Sequence, residues 1–202
     1  MTQTSLPAVL TVILATTVLA QPQRPPTADA SLLDTLVSAA IEQTGHQVTY
    51  DGSYRVIPYP NGDVPANIGV CTDVIIRAYR TVGIDLQRLV HEDMRSAFSS
   101  YPPLWGMKRP DRNIDHRRVP NLQTFFKRQG AALSPTRNAA DYRAGELVTW
   151  MLPGNLPHIG IVSSTRAPSG RPMLVHNIGR GPQLEDMLFD YTVTGRYRYV
   201  GR

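Results

Sequence analysis

The fold is decided by two neighbouring segments, Pro157-His-Ile-Gly-Ile-Val-Ser163 and Pro172-Met-Leu-Val-His-Asn177. Both are short, apolar and bounded by loop residues, which is typical of β-strands. Between them lies Pro168-Ser-Gly170, a combination that favours a turn. The pattern predicts strands over 158–163 and 172–177 that pair antiparallel.

Two histidines occupy matching places in this hairpin, because His158 opens the first strand and His176 closes the second. The start of one strand lies beside the end of its antiparallel partner, so we expect the two side chains to be neighbours. His158 would face a cleft while Ile159 and Ile161 face the opposite side of the sheet. The placement fits a general base with an orienting partner; a hydrogen-bonded structural role is the alternative.

The chain before this hairpin is predicted to be mainly helical. Apolar residues recur at spacings of three and four in four segments: from Asp29 or Ser31 to about Thr44, from Cys71 to Gly83, from Asp85 through Met94, and from Pro120 to Gly130. Further strands are predicted over 146–151 and 195–200. Helices followed by antiparallel strands predict an α+β domain, with the N-terminal helices packed on an antiparallel sheet. Residues 99–118 are predicted to form a long irregular insertion.

The first twenty residues differ from the rest of the chain. An apolar run ends in Val18-Leu-Ala20, a sequence of small and apolar residues that fits a signal-peptidase site. We therefore predict a signal peptide over 1–20, a polar linker over 21–30 and one domain over 31–202, in a periplasmic or secreted protein of the bacterial envelope. An uncleaved membrane anchor and a start codon placed too late are the alternatives.

Composition indicates a soluble globular domain with a basic surface. Hydrophobic residues make up 42% of the chain, charged residues 18%, and the formal net charge is +5. Together with export, this charge favours anionic partners such as cell-wall polymers. The basic residues are dispersed and accompany no nucleic-acid motif, so we expect no nucleic-acid partner. No later segment is long and apolar enough to span a bilayer, so we expect no stable membrane insertion after signal cleavage.

The single cysteine, Cys71, lies in Gly69-Val-Cys-Thr-Asp-Val74, where a loop leads into an amphipathic helix. Unpaired backbone N–H groups and the helix dipole at this position stabilise a thiolate, which predicts a lowered thiol pKa and a reactive nucleophile. A small buried core residue is the alternative. A zinc site of Cys71, His158 and His176 would need ligand spacing that the sequence lacks, so we expect no metal and no cofactor.

The order of these motifs resembles the NlpC-type cell-wall peptidases and the related CHAP amidases, which have a papain-like fold. The resemblance rests on the cysteine at a helix start, followed by Tyr142-Arg-Ala-Gly-Glu-Leu-Val-Thr-Trp150 and then by the two histidine strands. Residues 31–200 more closely resemble the envelope family called domain of unknown function 1287. Segments that carry this likeness include Val90-His-Glu-Asp-Met94, Asn113-Ile-Asp-His-Arg-Arg118 and Gly181-Pro-Gln-Leu-Glu-Asp186.

The resemblance implies Cys71 as nucleophile, His158 as base and His176 as the third catalytic residue. It also implies a tyrosine ahead of the cysteine, for which Tyr50 and Tyr59 are both candidates. We assign substrate binding to Asp73, Tyr59, His116 and Arg117, since arginine forks bind the carboxylates of stem peptides well. A solvated charge run is the alternative interpretation of His116 and Arg117.

The chain is accordingly expected to be a cysteine peptidase or amidase that cleaves amide bonds of peptidoglycan or its stem peptides. Two other functions remain open at this point. The same Cys-His site could carry out acyl transfer or remove a lipid acyl group, or the fold could serve as a non-catalytic envelope-binding module. An exposed thiol offers little to a pure binding module, which disfavours the last of these.

Overall fold

The computed structural model of the protein describes Met1 and residues 27–201; residues 2–20 of the predicted signal peptide and 21–26 of the predicted linker lie outside these residues. The longer helices are α1 (Ala28–Glu42), α2 (Cys71–Thr81), α3 (Leu86–Ala97) and α4 (Val119–Arg128). The strands are β1 (Thr49–Tyr50), β2 (Ile68–Gly69), β3 (Ala132–Leu133), β4 (Leu147–Leu152), β5 (Leu156–Arg166), β6 (Pro172–Asn177), β7 (Pro182–Glu185) and β8 (Thr192–Tyr197). The predicted α+β class, with helices preceding an antiparallel sheet, is confirmed.

Six strands form one antiparallel sheet in the order β3-β8-β4-β5-β6-β7. The predicted pairing of β5 with β6 is confirmed, with Gly160 opposite His176 and Val162 opposite Leu174. The Pro-Ser-Gly turn closes the hairpin, where the Gly170 N–H donates to the Ala167 carbonyl at 2.8 Å. β1 and β2 form a separate parallel pair just before the Cys71 helix.

The two faces of the sheet pack against different partners, because successive side chains along a strand point to opposite faces. On one face, Leu147, Ile159, Ile161 and Val175 join the main core with the helices. That core also contains the following helical side chains: Leu36, Val74, Ile75, Tyr79, Phe125 and Phe126. The other face carries a smaller cluster made of Tyr142, Val148, Trp150, Val162, Leu174 and Leu188. β5 therefore presents isoleucines to the helices and His158 to the opposite face.

The helix ends follow capping chemistry. Asp85 caps α3 as predicted, and its carboxylate accepts from the Arg88 N–H at 3.2 Å. Helix α1 instead starts after Thr27, whose hydroxyl accepts from the Ala30 N–H at 3.3 Å. The predicted caps Asp29 and Ser31 are wrong, because both residues lie within the helix.

Two parts of the sheet differ from the sequence-based expectation. The last strand, predicted over 195–200, runs over Thr192–Tyr197, because the Arg198 N–H donates to Ala131 and Tyr199 joins the helical core. β7 was not predicted. Residues 99–118 are irregular apart from short 3-10 turns, as expected. Within residues 27–201, no helix has the length and apolarity needed to span a membrane.

Candidate active site

Cys71 is the first residue of α2, at the place where the chain leaves the short strand β2. Its neighbour Val70 is extended, with φ −120°, so the chain changes direction at the helix start. Asp73 fixes this start, because its carboxylate accepts from the Val70 N–H at 2.7 Å. From β6, the Asn177 amide donates to the Gly69 carbonyl at 3.4 Å and ties the turn to the sheet. The thiol is free and only 4% of the residue is exposed.

Three donors surround the Cys71 sulfur. They are the backbone N–H groups of Ile159 and Thr72 and the hydroxyl of Tyr50, and each of them lowers the pKa of the thiol. Ile159 directly follows His158 in β5, so the sulfur lies beside the backbone that carries the predicted base. The start of α2 and the start of β5 therefore converge on one point.

The thiol pKa is raised, to about 11, which corrects the predicted lowering. Burial is the largest cause, and the negative charge of Asp73 adds to it. The N–H groups of Ile159 and Thr72 and the Tyr50 hydroxyl act in the opposite direction but do not compensate. The prediction was wrong because it counted the helix N-terminus and not the removal of the sulfur from water. At neutral pH Cys71 is a thiol.

The two histidines of the hairpin form a buried pair. Nε2 of His158 and Nδ1 of His176 are 3.1 Å apart, and the rings are nearly perpendicular at 88°. Gly160 permits this approach, since a Cβ there would meet the His176 Cβ at 3.1 Å and the Val175 carbonyl at 3.0 Å. Trp150, directly opposite His158 in β4, packs its ring 5.9 Å from the imidazole. The expectation that these histidines are neighbours is confirmed.

Burial, and to a smaller extent the neighbouring His176, lower the pKa of His158 to about 3. Burial also lowers the pKa of His176, although Glu185, whose carboxylate lies 2.9 Å from Nε2, acts against this. His158 is thus a neutral imidazole at neutral pH. No hydrogen bond joins it to Cys71 in the described part of the chain, and the two side chains belong to opposite faces of β5, so proton transfer between them requires one of them to change its orientation at the start of the strand.

The structure separates the two candidate tyrosines. Tyr50 ends β1 beside Cys71, and burial and the neighbouring thiol raise the pKa of its hydroxyl. Tyr59, assigned above to substrate binding, instead packs its ring 5.3 Å from His91 and under the guanidinium of Arg112. The geometry therefore favours Tyr50 as the tyrosine of the site. Its hydroxyl placement arises from the β1–β2 pairing, which the sequence did not reveal.

The other three residues assigned to substrate binding lie inside the protein. Asp73 and Arg117 form a two-pronged ion pair, with both N···O distances 2.9 Å and both side chains 2% exposed. Arg117 also donates to the Asp51 carbonyl at 3.2 Å. His116 is buried, and burial and Arg117 lower its pKa to about 3. Without exposed surface, these side chains support the site: Arg117 ties the segment after Tyr50 to the start of α2.

The exposed cations of the insertion face a separate cleft of about 650 Å³. Arg109, Arg112 and Arg118 line it together with Tyr54 and Trp105. The Arg118 guanidinium stacks 4.2 Å from the centre of the Trp105 ring. A cleft that combines cations with aromatic faces suits an anionic ligand that has apolar parts.

No group of three or more His, Cys, Asp and Glu side chains within residues 27–201 is arranged to hold a metal ion. The reactive groups that the site offers are therefore a thiol, an imidazole pair, a tyrosine hydroxyl and backbone N–H donors. That set can perform nucleophilic chemistry at a carbonyl carbon.

Comparisons with other proteins identify relatives. The chain is 50% identical over 164 residues to the "Uncharacterized protein YijF" of Escherichia coli (strain K12), which covers 81% of this chain and 80% of that protein. The structure of NlpC1 from Trichomonas vaginalis is similar with a TM-score of 0.44 and 13% identity, over 89% of this chain and 48% of that one. This chain thus spans about half the length of NlpC1. Residues 37–199 match the family described as "Domain of unknown function (DUF1287)", and the chain belongs to that family.

Proposed function

We propose that the protein is a cysteine hydrolase that cleaves amide bonds in the stem peptides of peptidoglycan. One observation carries this proposal. The sole cysteine lies beside the Ile159 N–H, which lowers the pKa of its thiol, and the preceding residue, His158, is hydrogen-bonded to His176 at 3.1 Å. We interpret these three residues, near the start of one hairpin, as nucleophile, base and orienting partner.

The reaction begins from a neutral thiol and a neutral imidazole. As the Cys71 sulfur attacks the carbonyl carbon, its proton passes to His158, and a tetrahedral intermediate forms. The N–H of Cys71 and the hydroxyl of Tyr50 supply two donors for the developing oxyanion. The C–N bond then breaks, His158 gives its proton to the amine, and a thioester remains. Water, deprotonated by His158, hydrolyses this thioester to a carboxylate and regenerates the thiol.

Charge supports the substrate class. The chain carries a formal charge of +5, and Arg109, Arg112 and Arg118 line the separate cleft of the insertion. Stem peptides carry free carboxylates, which arginine binds with paired hydrogen bonds. In this proposal, the exposed Arg109 and Arg112 and the partly buried Arg118 recognise the substrate, while the buried Arg117 supports the start of α2.

Export is part of the proposal, because peptidoglycan lies outside the cytoplasm. The apolar run that ends at Ala20 supports cleavage before Gln21. N-terminal sequencing of the protein recovered from the periplasm or the medium should begin at Gln21. Recovery of the intact chain from the cytoplasm alone would overturn this part.

Purified sacculi provide the test of the substrate. Wild-type protein should release soluble fragments whose masses locate one cleaved amide bond, and Cys71→Ala should release none. Ser164→Ala is the matched control, because Ser164 is an exposed residue on the same strand as His158. Fragments rejoined to a second amine would indicate acyl transfer, and intact sacculi with every variant would exclude the peptidoglycan substrate.

A further inference from the structure

The His158–His176 pair has a third partner at the edge of the sheet. Glu185 ends β7, which pairs antiparallel with β6 and places Glu185 opposite Leu174, diagonally across from His176. Its Oε2 lies 2.9 Å from Nε2 of His176. The His176 side chain is 1% exposed and the Glu185 side chain 41%, so the contact links the buried pair to the surface.

We propose that Glu185 is a positioning residue that selects the tautomer of both histidines. An ionised carboxylate has no proton to give and can only accept a hydrogen bond. His176 must therefore carry its proton on Nε2 and donate it to Glu185. Its Nδ1 is then a lone pair, which can only accept, so His158 must carry its proton on Nε2 and donate it to His176.

The two hydrogen bonds, from His158 to His176 and from His176 to Glu185, leave Nδ1 of His158 unprotonated, which is the form that a base requires. When His158 takes the thiol proton, the resulting positive charge is stabilised through two hydrogen bonds that end on a carboxylate. The expected effect of Glu185 on the rate of hydrolysis rests on the proposed function. The tautomer assignment does not, because it follows from two distances and the chemistry of the carboxylate.

Substitutions at Glu185 can reverse this order of donors. Glu185→Ala removes the acceptor and should allow both tautomers. Glu185→Lys places an ammonium, which can only donate, beside Nε2 of His176. His176 would then be protonated on Nδ1, His158 would have to accept at Nε2, and its own proton would move to Nδ1, where it blocks the base. The partly exposed position gives the longer side chain room.

The matched control is Asp186→Lys, which makes the same charge change one residue further along. Within residues 27–201, Asp186 forms an ion pair with Arg171, accepts from the Ser169 hydroxyl and contacts neither histidine, so the control breaks only these surface contacts.

The experiment is nitrogen NMR of the folded chain with labelled histidine, since the ring shifts distinguish the two tautomers. Wild type and Asp186→Lys should show His158 and His176 protonated on Nε2. Glu185→Lys should move the proton of both to Nδ1, and Glu185→Ala should give mixtures. Nε2 protonation that persists in both Glu185 variants would overturn the proposal.

Turnover supplies the second readout. Glu185→Ala should lower kcat by about 10- to 100-fold, the range expected for one charge-assisted hydrogen bond, with KM unchanged. Glu185→Lys should lower kcat further, and Asp186→Lys should leave it unchanged. If the tautomers shift as expected but no variant, including wild type, hydrolyses peptidoglycan, the proposed function fails and the role of Glu185 stands.

Discussion

The β5–β6 hairpin and the insertion over 99–118 both bring charged or titratable side chains to the neighbourhood of Cys71, but in different ways. In the hairpin, His158 and His176 are both buried and bound to each other. The insertion divides its basic residues: Arg117 is buried against Asp73, while Arg112 and Arg118 line an open cleft. Arginines of one charge run therefore differ in burial, from 2% exposure of the Arg117 side chain to 18% for Arg118. Burial, more than residue type, separates the groups that build the site from those that can meet a ligand.

The hairpin should carry the largest effect on activity. His158→Ala removes the base and should lower kcat by on the order of 10²- to 10⁴-fold. His176→Ala removes an orienting group and should cost less, because nucleophile and base remain. Turnover of both variants on solubilised peptidoglycan would measure this, with circular dichroism to check folding. A loss for His176→Ala as large as that for His158→Ala would exchange the two roles.

The buried half of the insertion should govern stability. Arg117→Met leaves Asp73 buried without its counter-charge and should lower the free energy of unfolding by about 3–5 kcal/mol. Glu92→Ala, which removes one partner of an exposed pair with Arg88, is the control and should cost about 0–1 kcal/mol. Urea denaturation measures both. Similar losses for the two variants would mean that the buried pair contributes no more than a surface pair.

The thiol between these two regions should react slowly at neutral pH. Its pKa is raised from 9.0 to about 11, so the thiolate fraction at pH 7 is about 100-fold below that of an unperturbed thiol. A raised pKa means that the reactive form appears only as pH rises, so alkylation by chloroacetamide should accelerate up to about pH 11. The rate against pH, compared with free cysteine, tests this. Faster labelling than free cysteine at pH 7 would restore the original expectation of a thiolate.

The cleft of the insertion, lined by Arg109, Arg112 and Arg118, should affect substrate binding by a smaller factor than the hairpin affects kcat. Arg112→Gln removes one guanidinium from the cleft and should raise KM roughly 3- to 10-fold, with kcat unchanged. Arg137→Gln, in a different cleft beside Pro135 and Phe189, is the matched control and should change neither constant. Steady-state kinetics with an anionic stem-peptide substrate decides the matter. Equal KM values for the two variants would assign substrate binding elsewhere.

The difference between the hairpin and the insertion also explains which features the sequence could predict. The hairpin was predictable because its signals are local: apolar strand segments, a Pro-Ser-Gly turn and a histidine at each open end. Helix α2 and the place of Cys71 at its start were predictable for the same reason. The burial of Arg117 was not, because its partner Asp73 lies 44 residues earlier and a run of Asp-His-Arg-Arg resembles a solvated surface.

Glu185 escaped prediction, and the sequence could not separate Tyr50 from Tyr59, for a related reason. β7 is only four residues long and follows Gly179-Arg-Gly181, so it resembles a loop until it pairs with β6. Tyr50 is brought to the thiol by a two-residue parallel pairing between β1 and β2, which leaves no periodic signal. Both residues act through tertiary contacts that short-range patterns do not encode.

The central claim is that Cys71 forms a covalent acyl intermediate. Wild-type protein mixed with solubilised peptidoglycan, quenched in acid during turnover and digested, should yield the Cys71 peptide with the mass of an attached acyl fragment. The adduct should disappear on hydroxylamine treatment, as a thioester does, and be absent from Cys71→Ala. Product release by Cys71→Ala at the wild-type rate, with no adduct on the wild-type cysteine, would contradict the account and require a different nucleophile.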